Sequence, residues 1–178
     1  FYLLEDGDFA EITKDKIKIV NEKNEEIIRE ETPIDTSVKT ASKDGYKHFM
    51  EKEIYEQPQA IQNAIEGRTV SGEVLDNIFG MGSSDAFKSV KRIQFVACGT
   101  SLHAAKTARK WFEELCETPC YIDFASEYRY RNPLVEKDTL FVCISQSGET
   151  ADTMAALNYA KEEKYLGIVT ICNVPTST

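Results

Sequence analysis

The 178-residue chain has only two histidines, His48 and His103, and they lie far apart in sequence. Its five cysteines (Cys98, Cys116, Cys120, Cys143 and Cys172) include no C-x-x-C pair. A metal centre is therefore not expected. The glycine signatures of nucleotide sites are missing too. Neither G-x-x-x-x-G-K-[ST] nor G-x-G-x-x-G occurs, so no nucleotide cofactor is expected. Positive charge is scarce: 21 Lys and Arg stand against 30 Asp and Glu, a formal net charge of -9. That disfavours nucleic acid or an anionic membrane as the main partner. No stretch is long enough to span a membrane, and no signal peptide is expected. An odd number of cysteines, three of them at or near the ends of apolar runs, suggests reduced thiols in a cytoplasmic protein. An anionic ligand would have to be held by local groups, because the overall field opposes it.

What is present is a globular composition, with 42% hydrophobic residues and mixed charge. Phe1 opens in the middle of an apolar run and Thr178 follows closely on another. The chain thus reads as a piece cut at both ends. Residues 1–31 suggest short antiparallel strands: "FYLL", an Asp6-Gly7 turn, "FAEIT", an alternating "KIKIV" and "EEIIRE". Residues 32–45, with Pro33, Thr36, Ser37, Thr40, Ser42 and Gly45, read as a linker. Helical spacing follows, with a break expected at Pro58 and a second helix carrying Ile61 and Ile65. A third helical stretch is expected over about 71–79, closed by "GMGSSD".

From Ile93 the pattern changes. Strands are expected at 93–97, 120–125, 139–144 and 167–172, and helices at 102–115 and 151–163. In the first helix Ala104, Ala108, Trp111, Phe112 and Leu115 form one stripe, and "SEYRYR" reads as a polar turn of helix or loop. Alternating helices and fully apolar strands predict an α/β fold, a doubly wound parallel sheet with right-handed crossovers.

Two strand-to-helix junctions share a composition: Cys98-Gly99-Thr100-Ser101 and Ser145-Gln146-Ser147-Gly148-Glu149-Thr150. Both fall at carboxyl ends of strands, where open α/β sheets bind ligands. Both open a helix, whose free N–H groups and positive dipole end suit an anion. Thr100, Ser101, Ser145, Ser147 and Thr150 add hydroxyl donors, and glycine permits close approach of the backbone. A single Ser at a helix start needs no explanation beyond capping. Three Ser or Thr in six residues, mirrored by Thr100-Ser101, favour a phosphate held without Lys or Arg. Cys98 precedes a helix start, where a thiolate would be stabilised, but it equally suits a small packing position. His103 faces either the pocket or solvent. Glu149 suits the helix dipole and could touch a sugar hydroxyl. Arg129 and Arg131 suit a surface or subunit contact better than a phosphate clamp.

"CGTSLHAAKTARKWFEEL", "ASEYRYR", "SQSGETADTMAAL" and "ICNVP" resemble the first sugar-isomerase (SIS) domain of the glutamine–fructose-6-phosphate aminotransferase (isomerizing) family, the glucosamine-6-phosphate synthases. "LLEDGDFAEI" is similar to the end of that family's glutaminase domain, and "KEIYEQPQAI" to its joining segment. The resemblance implies a flavodoxin-like three-layer SIS domain over 46–178, truncated at its carboxyl end, behind a glutaminase remnant over 1–31 and the linker at 32–45. It implies an enzyme that makes glucosamine 6-phosphate and glutamate from fructose 6-phosphate and glutamine, as a homodimer. It assigns Thr100, Ser101, Ser145, Gln146, Ser147 and Thr150 to the sugar phosphate; Gln146 comes from the resemblance alone. The family's catalytic groups belong to segments outside these residues, so none is expected here and the piece itself is expected to be inactive. A sugar-phosphate-sensing SIS domain of a transcriptional regulator is the alternative, and a stand-alone phosphosugar isomerase a third reading. The acidic, strand-rich amino-terminal segment disfavours both.

Overall fold

The computed structural model describes residues 1–33, 42–80 and 82–174. It divides into two compact units, Phe1–Ala64 and Ile65–Thr178. In the first unit β1 (Phe9–Ile12), β2 (Ile17–Val20) and β3 (Glu26–Ile27) form an antiparallel sheet in the order β1-β2-β3. "FYLL" forms no strand. Tyr2 makes a lone bridge to Glu31, and "EEIIRE" contributes only its two-residue β3. The Asp6-Gly7 turn does form, with Gly7 at a φ of 88°. Arg29 clasps Asp8 with two nitrogens, at 2.8 and 3.0 Å. The hydrogen bond from Arg29 holds the Asp8 carboxyl below its ordinary range. Of the linker positions, Thr36, Ser37 and Thr40 lie outside the described residues.

Helix α1 (Phe49–Ile65) runs through Pro58 without the expected break. Proline removes one N–H, the partner of the carbonyl four residues back. The flanking Glu, Gln, Ala and Ile residues are good enough helix formers to carry the helix across that loss. In the second unit the expected helix at 71–79 is a hairpin instead, β4 (Thr69–Val70) with β5 (Glu73–Val74), followed by a single 3-10 turn at Asp76–Phe79. The reason is turn chemistry. Ser71 and Gly72 take positive φ values of 53° and 84°, the two-residue loop that matches strand twist. "GMGSSD" opens a helix where it was expected to close one: Gly82 is the N-cap of α2 (Ser83–Lys88).

The α/β expectation holds. Strands β6 (Arg92–Ala97), β7 (Cys120–Phe124), β8 (Thr139–Ser145) and β9 (Gly167–Cys172) pair in parallel in the order β7-β6-β8-β9. They alternate with α3 (Gly99–Cys116), the one-turn α4 (Ala125–Tyr128) and α5 (Ala151–Glu162). Because side chains alternate along a strand, each central strand feeds two cores. Val96, Phe141 and Cys143 pack with Ala125, Tyr128, Ala156 and Ala160 on the α4 and α5 side. Ile93, Phe95, Leu140 and Val142 pack with Ala105 and Cys120 on the α3 side.

"SEYRYR" is less polar in place than in sequence. Tyr128 is fully buried against Phe141, and its hydroxyl bonds that of Tyr165. Burial raises the Tyr128 pKa. The α3 stripe also departs from expectation. Leu102 and Ala105 are buried, while Trp111 stays 59% and Leu115 80% exposed. The residues facing the sheet are thus one step round the helix from part of the apolar stripe. Cys120 and Cys143 are buried, and desolvation pushes each thiol up to about 11. Cys98 and Cys172 are half-buried and Cys116 is exposed.

Candidate functional site

In the sheet β6 lies between β7 and β8. The chain leaves β6 towards β7 through α3, and leaves β8 towards β9 through α5. The two connections diverge from neighbouring strands, which makes the β6/β8 boundary the topological switch point, where such sheets open a crevice. Ala97 pairs with Ile144 at the ends of these strands. The next residues are Cys98 on one and Ser145 on the other, the first members of the two Ser/Thr-rich junctions. The sheet register therefore brings together the two segments that stand almost fifty residues apart in sequence.

Plain capping does not account for the hydroxyls. The N-cap of α3 is Cys98 and that of α5 is Thr150, and neither side chain makes a capping hydrogen bond. The first turns of both helices therefore point N–H groups at the crevice without a side-chain acceptor. Among the described residues Thr100, Ser101 and Thr150 have no side-chain hydrogen bond. Thr100 is exposed, and Ser101 and Thr150 are half-buried. Gly99 opens α3 at a φ of 53°, a conformation that favours glycine, and an added Cβ there would meet nothing within 4 Å. The space over this helix start is open.

The second junction is more constrained. Ser145 is 7% exposed, and its Oγ accepts the Gly148 N–H at 3.0 Å. Half-buried Ser147 accepts the Glu149 N–H at 3.1 Å. Gly148 turns at a φ of 75°. Gln146 is exposed, and its backbone carbonyl accepts from the Cys172 thiol at 3.7 Å. The six residues thus lie at two adjacent strand-to-helix junctions: Thr100 and Ser101 in the first turn of α3, and Ser145, Gln146, Ser147 and Thr150 between the end of β8 and the N-cap of α5. No Lys or Arg belongs to either segment.

Neighbouring charges are committed elsewhere. Arg129 Nη1 bonds Asp152 at 2.8 Å in the first turn of α5, and Arg131 Nη2 bonds Asp123 at 2.7 Å. Neither guanidinium acts as a clamp in this arrangement. Cys98 packs half-buried against the α4 and α5 side of the core. His103 and Glu149 are exposed. One polar group escaped the sequence reading: Thr153, 3% exposed, whose Oγ1 has no partner among the described residues. Its signal was a hydroxyl on the otherwise apolar buried stripe of α5, with Ala156 and Ala160. Among the described residues no group of His, Cys, Asp and Glu could hold a metal, and no helix is long and apolar enough to cross a membrane.

A separate groove of about 470 Å³ lies on the α3 side, lined by groups such as Phe87, Phe95, Phe112, Ile144 and Val169. It is lined almost wholly by apolar side chains.

The sequence is 48% identical over its whole length to the glutamine–fructose-6-phosphate aminotransferase (isomerizing) of Pseudomonas putida, and 47% to that of Idiomarina loihiensis. In both cases the chain spans 29% of the relative's length. In structure it is similar to the C-terminal domain of glucosamine-fructose-6-phosphate aminotransferase from Francisella tularensis. The TM-score is 0.72 and the identity 48%, covering 78% of this chain and 38% of that one. The SIS domain profile matches residues 86–178, more than half of the chain and both junctions. The chain belongs to the SIS domain family.

Proposed function

We propose that this chain is part of the isomerase half of an enzyme making glucosamine 6-phosphate and glutamate from fructose 6-phosphate and glutamine, and that it holds the sugar phosphate. One observation carries the reading of the site. Two Ser/Thr-rich helix starts stand side by side at the switch point, and neither uses its hydroxyls as an N-cap. The names of relatives 47–48% identical across the whole chain support the reaction. Nothing comparable favours a transcriptional regulator.

In this reading the N–H groups of the first turns of α3 and α5 face the phosphate, and the hydroxyls of Thr100, Ser101, Ser145, Ser147 and Thr150 donate to it. Gln146 completes the set from the exposed rim. Each hydrogen bond to a charged group contributes about 1.5–3 kcal/mol and a helix dipole about 0.3–2 kcal/mol. A few such bonds suffice for a metabolite without any cation. The groups that make and break bonds are not assigned to residues 1–178. Residues 46–178 are read as a first SIS domain, 1–31 as glutaminase-domain residues and 32–45 as the linker. The parent is read as a cytoplasmic homodimer that does not bind nucleic acid or membrane.

The test is calorimetric titration of the chain with fructose 6-phosphate, alongside assay of the full-length parent with glutamine. Binding without turnover by the chain, and turnover by the parent, is the expected result. Synthase activity from the chain alone would overturn the placement of the catalytic groups. Failure of the chain to bind the sugar phosphate would overturn the site.

A further inference from the structure

The second junction is held by one contact from outside its own loop. Ser145, the last residue of β8, pairs in register with Cys172, the last residue of β9. One position further on, the Cys172 thiol donates to the Gln146 carbonyl oxygen at 3.7 Å, across 26 residues of sequence. No backbone N–H bonds this carbonyl among the described residues. The same sulfur accepts the Val174 N–H at 3.5 Å and lies 3.6 Å from the Val174 carbonyl oxygen. The thiol's one proton therefore has two carbonyls in reach, while its sulfur is anchored to the chain leaving β9.

The consequence lies in the peptide plane between Gln146 and Ser147. A trans peptide unit is planar and sets its C=O and N–H on opposite sides. In the sheet β9 and β6 flank β8 on opposite sides. A Gln146 carbonyl turned to Cys172, on the β9 side, thus turns the Ser147 N–H towards the β6 side, where the Cys98–Ser101 junction follows its strand. That N–H has no partner among the described residues. It belongs to the loop ahead of the N-cap Thr150, so it is not one of the amide groups of α5.

We infer that Cys172 is a positioning residue: its thiol fixes the Gln146–Ser147 peptide plane and so aims the Ser147 N–H at the ligand. The inference rests on the phosphate reading given above. In this role Cys172 acts through the backbone of Ser147 and does not itself contact the phosphate. A thiol is a weak donor, so its bond adds little to stability. Its effect is on which side of the plane faces β6. Without the bond the plane turns more freely, and the N–H faces the phosphate in only a fraction of the loop's conformations. Affinity falls by that fraction.

The experiment follows the backbone amides of the 178-residue chain by NMR during titration with fructose 6-phosphate, and repeats this for Cys172→Ala and Cys172→Ser. Alanine removes the donor; serine is nearly the size of alanine and restores one. Cys172→Ala is expected to weaken binding about 2- to 12-fold, the range of one neutral hydrogen bond. It should also shrink the shift of the Ser147 amide at saturation. Cys172→Ser should recover most of both, while the two variants melt alike. Unchanged affinity in Cys172→Ala would overturn the inference. So would an equal loss in both variants, which is what packing of the sulfur alone predicts. A Ser147 amide that does not move when the unsubstituted chain binds would overturn it as well. Absence of fructose 6-phosphate binding by the unsubstituted chain would instead overturn the phosphate reading itself, and the role of Cys172 with it.

Discussion

The two helix starts at the switch point resemble each other in composition and differ in how they are held. At Cys98–Ser101 the hydroxyls of Thr100 and Ser101 have no partner among the described residues, and open space lies beside Gly99. At Ser145–Thr150 two serines are tied back onto the loop's own N–H groups, one of them buried. Local hydrogen bonds of this kind fix a turn. The second loop is thus shaped before a ligand arrives, while the hydroxyls of the first have no such tie. A site made of one fixed and one adaptable half loses less entropy on binding than two adaptable halves would.

Four substitutions test that contrast. The largest loss of affinity is expected from Ser147→Ala, which removes a donor to a charged group and an acceptor within the loop. About 10- to 150-fold weaker binding of fructose 6-phosphate follows from the 1.5–3 kcal/mol of such a bond. In the full-length parent the loss should appear in KM. An unchanged KM would remove Ser147 from the site.

Ser145→Ala should act differently. It leaves the buried Gly148 N–H without an acceptor, at a cost of about 1–3 kcal/mol in stability. Both the melting temperature and the affinity should fall. A loss of affinity with no change in Tm would show that Ser145 contacts the ligand without shaping the loop.

Ser101→Ala should weaken binding about tenfold, the lower end of the same range, and leave Tm unchanged, because no intrachain bond is lost. A drop in Tm comparable to that of Ser145→Ala would dissolve the distinction between the halves. The smallest effect is expected from Arg129→Ala. Its pairing with Asp152 is partly exposed, and such a pair contributes about 0–1 kcal/mol. Affinity should change less than threefold. A tenfold loss would make Arg129 a phosphate ligand despite its present partner.

Much of the second unit was legible in the sequence. Strands β6 to β9 and helices α3 and α5 fall within a few residues of their expected limits. Buried parallel strands must be apolar throughout, and Ser/Thr/Gly breaks mark their ends. The misreadings have local causes. Ser71-Gly72 adopts a hairpin turn that helix periodicity hid, and Pro58 suggested a break that its helix-forming neighbours override. Tyr128 looked polar beside two arginines, yet its ring supports Phe141 and its hydroxyl meets Tyr165. That partner is 37 residues away, beyond any local pattern.

For the site, the sequence by itself determined the chemistry: small hydroxyl residues, glycine and helix starts, with no cation among them. Those properties belong to residue types and short spacings, so they can be read along one segment. Only the tertiary structure decided that the two segments meet and what their hydroxyls do. Adjacency follows from the pairing of β6 with β8, a long-range register set by burial on both faces of the sheet. The direction of the Ser145 and Ser147 hydroxyls follows from a turn of the backbone at Gly148. Residue identity supplies a hydroxyl that can donate or accept; the fold ties one lone pair of its oxygen to a loop N–H and so holds the group in place.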